Sequence, residues 1–484
     1  MTARAVMVLG CTSGAGKSWL ATALCRWYAR QGLTVAPFKA QNMSNHARVV
    51  ALPGGGLGEI GSAQYFQALA ARVAPDVRMN PVLLKPEADT RSQVVLAGRV
   101  REELAAMPWR ERSALLWPAA QAALAQLRAA FDVLVIEGAG SPAEINLAAS
   151  DYVNTLTALD SGAAALLVAD IDRGGAFAHL FGTHALMDAR VRAQLRGFVL
   201  NKFRGDATLL APAPERLQAM TGVPTLATLP MRRDHGLPEE DAVPGGAEAA
   251  AGGPRVAVLA YPHASNLDEF EPLRACGVSL AFTRDAAELA RADWLVLPGS
   301  KHTRADLAWL RAQRLDTLVC AHAASGRPLL AVCGGLQMLG DRIDDADGVE
   351  GGRAGSDPGL GVLPLATRFE PAKRLDRTRR RFASLDGAWA PLSGLEVDGY
   401  EIRCGRTVAH PAHLTVALPG APPLGWQRGN VLALYLHGVL ENPAVVQALF
   451  GRAARSLDAV FDGLADLVDA HFQPGALMAL LEPR

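Results

Sequence analysis

Cys333 closes the apolar run Pro328-Leu329-Leu330-Ala331-Val332 and is followed by Gly334, Gly335 and the apolar pattern Leu336, Met338, Leu339. That order predicts a strand, a tight turn and a helix start, with a thiol at the apex. A thiol in that position feels the positive end of the helix dipole, which favours the nucleophilic thiolate. The two glycines let an acyl group approach the backbone, and the Gly334 N–H can then stabilise an oxyanion. His437 closes a second apolar run, Val431 to Leu436, again directly before a glycine, Gly438. A thiol beside an imidazole is a nucleophile with its base. A third run, Trp294 to Leu297, leads into Pro298-Gly299-Ser300-Lys301, a turn able to donate the second oxyanion N–H. All three groups sit at strand ends, where open α/β sheets place their chemistry.

The first half carries a different chemistry. Gly10-Cys11-Thr12-Ser13-Gly14-Ala15-Gly16-Lys17-Ser18 follows one apolar run and precedes a helical pattern starting at Trp19. This is a phosphate loop of variant spacing. Thr12, Gly14 and Gly16 wrap phosphate with backbone N–H groups, Lys17 reaches its outer oxygens and Ser18 holds Mg²⁺. The cofactor pair implied is ATP with Mg²⁺. Glu137, at the end of Val133-Leu134-Val135-Ile136, is the carboxylate expected to support the metal beside Ser18. Asn201 ends a further run at a position suited to reading the nucleotide base. Asp170, Asp172 and Arg173 end another, and helix capping alone does not account for all three.

Placing such groups requires parallel sheets, and the chain has the pattern for them. Short apolar runs alternate with longer amphipathic stretches from end to end, as in two doubly wound α/β domains with mainly parallel sheets. The expected division is a P-loop domain over 1–240, a Gly/Pro/Ala-rich linker over 241–254, a second α/β domain over 255–450 and a helical C-terminal tail over 451–484. Leu464, Leu467 and Val468 form the expected packing face of that tail. The arginine-rich run Lys373 to Arg381 reads as a solvated loop. Over 484 residues the formal net charge is +0 and half the residues are apolar. That balance argues against a general nucleic-acid or membrane-surface binder. No apolar run is long enough to span a bilayer, and the first residues read as a strand, not a leader. Six scattered cysteines without a CxxC pair fit a reduced, cytoplasmic setting.

The second half resembles class I glutamine amidotransferases: an oxyanion strand, a cysteine elbow, then a late histidine. The resemblance places Cys333 and His437 as catalytic residues, and Gly299, Ser300, Gly334 and Gln337 around the oxyanion and the glutamine. That family normally carries Glu two residues after the histidine. Here Val439 stands there, so either a Cys333–His437 dyad works alone or another carboxylate orients His437, with Glu401 in Gly399-Tyr400-Glu401-Ile402 as the candidate. The variant loop and Glu137-Gly138-Ala139-Gly140 resemble the dethiobiotin-synthetase-like group. The two modules together, with Phe38-Lys39-Ala40-Gln41-Asn42-Met43-Ser44 and Asn80-Pro81-Val82-Leu83-Leu84-Lys85-Pro86, resemble the cobyric acid synthase family of cobalamin biosynthesis. The resemblance implies amidation of four peripheral carboxylates of a corrinoid, with glutamine as nitrogen donor and ATP as activator. The alternatives are the a,c-diamide synthase, which shares both modules, and a P-loop regulatory ATPase with a degenerate glutaminase.

Overall fold

The computed structural model describes residues 2–88, 91–232, 235–237, 253–410, 414–452 and 455–483. The expected linker falls outside them, apart from Gly253 and Pro254. The first half is built on a six-stranded sheet in the order Thr225–Pro230, Leu195–Phe203, Ala164–Asp170, Arg4–Gly10, Val133–Glu137, Val35–Phe38. Every neighbouring pair is parallel. The central strands are buried on both faces, which is why their sequences read as continuous apolar runs and not as alternation. The order turns on Arg4–Gly10, whose carboxyl end faces the crevice such sheets use for ligands.

The second half holds a seven-stranded sheet. Five parallel strands run in the order Ser279–Thr283, Arg255–Leu259, Trp294–Leu297, Leu329–Val332, Val431–Leu434. Gly425–Arg428 and Thr415–Leu418 extend them antiparallel. Two mainly parallel, helix-covered sheets are thus what the alternation foretold. The register sets Leu297 beside Ala331 and Val332 beside Leu434, so the turns carrying Gly299, Cys333 and His437 emerge at one edge.

The arginine-rich run is not a loop. Lys373 to Arg381 belongs to the long strand Leu365–Arg381, paired antiparallel with Glu396–Ala409. Arg379 stands opposite Asp398 and bonds it at 2.8 Å; Arg381 stands opposite Glu396 and bonds it at 2.7 Å. Opposite charges across a ladder let a charged sequence run as a strand. The hairpin brings Tyr400 against His437, with a backbone bridge between the two.

The C-terminal helix Leu457–His471 follows the second half in sequence but packs on the first. Phe461, Leu464, Ala465 and Val468 are buried against Leu20, Leu24 and Tyr28 of helix Lys17–Arg30, while Leu467 is only half-buried. Arg26, fully buried, meets Asp458 at 2.6 Å and Asp462 at 2.8 Å on that helix.

Candidate active site

Cys333 has φ 50° and ψ −104°, a backbone conformation rarely adopted by a side-chain-bearing residue. It joins strand Leu329–Val332 to helix Gly334–Leu339 and lifts the sulfur off the sheet edge. The glycines that follow are required by space. A Cβ on Gly335 would lie 2.3 Å from the Leu297 carbonyl oxygen, and one on Gly334 would lie 2.7 Å from the Ser300 nitrogen. The Gly335 N–H donates to the Pro298 carbonyl at 3.1 Å, so the oxyanion donor at the elbow is the Gly334 N–H. Gly299 lies equally close to the histidine: a Cβ there would be 3.1 Å from His437 Cε1. Gln337 is buried, accepting from Thr303 Oγ1 at 3.1 Å and donating to the Tyr435 hydroxyl at 3.3 Å. Tyr435 also lines a cleft of about 600 Å³ with Lys373, Arg374, Arg403 and Cys404, which neither Cys333 nor His437 lines.

Glu401 does not orient His437. Its carboxylate accepts from Arg403 Nε at 2.8 Å and lies 3.4 Å from Arg374. Side chains alternate across a strand, and the face toward His437 is taken by Tyr400, whose ring stacks on the imidazole at 5.3 Å. The orienting group is Glu269. Its Oε1 is 2.9 Å from His437 Nδ1, and its Oε2 accepts the Gly438 N–H at 2.7 Å. Burial alone would lower the imidazole pKa. The Glu269 charge and hydrogen bonds with Cys333 and Glu269 outweigh it and raise the value to about 10. At neutral pH His437 is therefore an imidazolium held between the Glu269 carboxylate and the Cys333 sulfur. Sequence reading favours Glu401, 36 positions before the histidine and in the same half, whereas Glu269 lies 168 positions before it. The available signal was Asn266-Leu267-Asp268-Glu269-Phe270, two acids amid apolar residues shortly after strand Arg255–Leu259, at the same sheet edge.

At the first sheet, Gly14 and Gly16 take φ 69° and 98°, left-handed values that curl the loop. Lys17 Nζ reaches back to the Thr12 carbonyl at 3.0 Å and the Gly140 carbonyl at 3.1 Å. Ser18 Oγ donates to Glu137 Oε1 at 2.8 Å, so the two residues expected at the metal do converge. Lys39 Nζ is 2.7 Å from the same carboxylate oxygen, and Gln67 Nε2 donates to the other at 2.6 Å. Burial pushes the Glu137 pKa up; the Lys39 charge and the bonds from Lys39, Gln67 and Ser18 hold it below the ordinary value. A hydroxyl and an ionised carboxylate, with a Lys39 ammonium standing where a cation belongs, fit a hard divalent ion such as Mg²⁺. Among the described residues no group of three or more His, Cys, Asp or Glu could hold a metal. Mg²⁺ needs none, since it commonly binds through one or two protein oxygens plus substrate phosphates. Asn201, expected to read the nucleotide base, lies against the phosphate loop. Its Nδ2 donates to the Ala15 carbonyl at 2.9 Å and underpins Gly16. Asp170 pairs with Lys202 at 3.2 Å, and Asp172 with Arg204.

Comparison with known proteins adds two family matches. Residues 6–242 match the CobQ/CobB/MinD/ParA nucleotide binding domain, and residues 255–445 match the CobB/CobQ-like glutamine amidotransferase domain. The chain is 64% identical to the cobyric acid synthase of Leptothrix cholodnii, covering 100% of this chain and 98% of that one. It is 66% identical to the cobyric acid synthase of Methylibium petroleiphilum, covering 99% and 97%. A third relative of the same name, from Paracidovorax citrulli, is 64% identical over 98% of each chain.

Proposed function

The chain belongs to the cobyric acid synthase family, and we propose that it amidates the b, d, e and g carboxylates of adenosylcobyrinic acid a,c-diamide, using ATP and glutamine. Membership makes it an amidoligase of cobalamin biosynthesis. The observation supporting the finer reading is the coexistence of two formed constellations, Ser18–Glu137 beside Lys17, and Cys333–His437–Glu269.

In the glutaminase half, Cys333 Sγ, its proton already carried by His437, attacks the glutamine side-chain carbonyl carbon and the C=O π pair moves onto the oxygen. Gly334, with the Gly299–Ser300 turn, donates N–H groups to the tetrahedral oxyanion. His437, already protonated and held by Glu269, gives its Nε2 proton to the departing ammonia. Water then hydrolyses the thioester, with His437 taking the proton, and glutamate leaves.

The first half solves a different difficulty. A carboxylate is a poor acceptor for ammonia because the leaving group would be oxide. Transfer of the γ-phosphoryl group of ATP to the carboxylate makes an acyl phosphate, and attack by ammonia then releases phosphate. Lys17 neutralises charge on the outer phosphate oxygens during transfer, and the loop N–H groups hold the rest. Ser18 and Glu137 would hold Mg²⁺, which when bound supplies further charge neutralisation at those oxygens. No described helix is long and apolar enough to cross a membrane.

The test is mass spectrometry of cobyrinic acid a,c-diamide incubated with the protein, ATP and glutamine. Up to four successive amide substitutions are expected. Amidation of cobyrinic acid itself at a and c, with no reaction of the a,c-diamide, would replace this reading by the a,c-diamide synthase.

A further inference from the structure

Arg48 lies in the first half, on strand Ala47–Ala51, with a side chain only 2% exposed. Its guanidinium reaches into the second half and bonds Asp268, and it meets Glu441 at 2.6 Å. It lies 5.1 Å from the ring of Tyr400 and 4.9 Å from that of Phe66. Asp268 immediately precedes Glu269, and Tyr400 is the ring stacked on His437. The neighbours of Arg48 grip the same segment. The Ala47 N–H donates to Asn266 Oδ1 at 3.2 Å, Asn266 Nδ2 returns to the Ala47 carbonyl at 3.3 Å, and His46 Nδ1 accepts the Leu267 N–H at 3.3 Å. Asn266 Nδ2 also donates to the Tyr400 hydroxyl at 2.8 Å. Three consecutive residues of one half thus clamp the three residues before the carboxylate that orients the histidine of the other.

Buried carboxylates persist in ionised form only beside a counter-charge. Asp268 and Glu269 are buried acids, and the half-buried Glu441 adjoins them. His437 answers Glu269, and Arg48 answers the other two. We propose that Arg48 is a positioning residue of the glutaminase centre, setting Glu269 and therefore His437 through Asp268, so that glutamine hydrolysis depends on the seating of the nucleotide half. The same chain leads back to the phosphate site, since Lys39, bonded to Glu137, lies nine residues before Arg48. The proposal rests on the reading of Cys333 and His437 as a glutaminase.

The test compares full-length wild type, Arg48→Met, Arg48→Lys and Asn266→Ala for glutamate release over pH, and for ammonia-dependent amidation. Around His437 and Glu269 the groups whose charge enters such a profile are Cys333, Tyr400, Tyr261, Asp268, Glu441, His46 and Arg48. Arg48→Met is expected to lower kcat for glutamate release about tenfold, a usual size for coupling between sites. KM for glutamine should stay within a few-fold, and ammonia-dependent amidation should persist. The alkaline limb should move to lower pH as Glu269 comes off His437, the opposite of the shift that loss of the Arg48 cation alone would give. Arg48→Lys should recover part of kcat and of the limb. Asn266→Ala should act in the same direction more weakly, and it decides the matter with Arg48→Lys if Arg48→Met does not fold. Unchanged kcat and pH profile in folded variants would overturn the proposal, as would equal loss of both activities. Failure of the underlying reading would look different: glutamate release by wild type that survives Cys333→Ala.

Discussion

A single carboxylate separates the site as read from the sequence from the site as built. The ends of the catalytic strands were legible, because a polar residue that stops an apolar run before glycine marks a strand-to-loop transition wherever it falls. Glu401 and Glu269 could not be distinguished in that way. Glu401 is nearer in sequence and belongs to the strand that touches His437, but the two-residue period of that strand turns it toward Arg403. Glu269 arrives from a segment far upstream, and only the sheet order places it beside the histidine. The two acids therefore predict different phenotypes. Glu269→Gln removes the charge that holds His437 protonated to about 10. Its sign follows directly: with the folded pKa lowered, the imidazolium is lost at lower pH, and the alkaline limb of glutamate release moves acid-ward. The rate at neutral pH should fall about 10²-fold, the lower end of what a positioned acid–base group contributes. Glu401→Gln weakens a buried pair with Arg403 and lowers the melting temperature, but leaves that limb where it is. Measuring kcat against pH for both variants checks the assignment; a limb displaced by Glu401→Gln and not by Glu269→Gln would reverse it.

At the scale of elements, the strands were readable from composition, and two features were not. The arginine-rich run was misread as a loop because its partner acids, Asp398 and Glu396, lie across a hairpin and not within the same strand. Part of the C-terminal packing face was visible as an apolar stripe, but nothing local says which sheet a helical tail will cover. Two predictions belong here. The elbow after Cys333 has no room for a side chain at Gly335, because the obstructing atom is the Leu297 backbone carbonyl, which cannot swing aside. Gly335→Ala should displace the thiol and the Gly334 N–H together, abolishing glutamate release while ammonia-dependent amidation continues. Wild-type glutamate release from the folded variant would show that the elbow can shift without cost. On the tail, Leu464 is 1% exposed against the first half. Leu464→Ala should cost about 2–5 kcal/mol, as buried leucine truncations do. Heat inactivation of ammonia-dependent amidation should then occur at a lower temperature. Inactivation at the wild-type temperature would mean the helix is dispensable to the nucleotide half.

At the scale of the molecule, two chemistries that need opposite surroundings share one chain. Glutamine hydrolysis uses a water to finish each cycle, whereas an acyl phosphate must be kept from water until ammonia reaches it. Separate sheets meet that need, and the residues that join them include ion pairs: Arg48 with Asp268 and Glu441, and Glu59, itself paired with Lys85 of its own half, with Lys373. Burial would raise the Glu59 pKa, but the charges of Lys373 and Lys85 hold it down at about 2. The contact between the halves thus includes charges that cannot be left apart in a dry interface without penalty. None of this was visible in sequence, since the partners are scattered over more than three hundred positions. Division into two sites nevertheless makes the last prediction a paired one. Cys333→Ala removes only the source of ammonia, so glutamine-dependent amidation should vanish while amidation with ammonium salts proceeds. Lys17→Ala removes the charge at the outer phosphates, so amidation should vanish with either nitrogen source. Glutamate release should survive Lys17→Ala, because that side chain bonds the Thr12 and Gly140 carbonyls of the nucleotide half. Assaying both variants with both nitrogen sources gives four measurements, and only one pattern fits: three losses, with Cys333→Ala active on ammonium. Activity of Lys17→Ala on ammonium at saturating ATP would place nucleotide chemistry outside this loop. Loss of ammonium-dependent activity in folded Cys333→Ala would mean the thiol serves both reactions, and the separation of the two sites would fall with it.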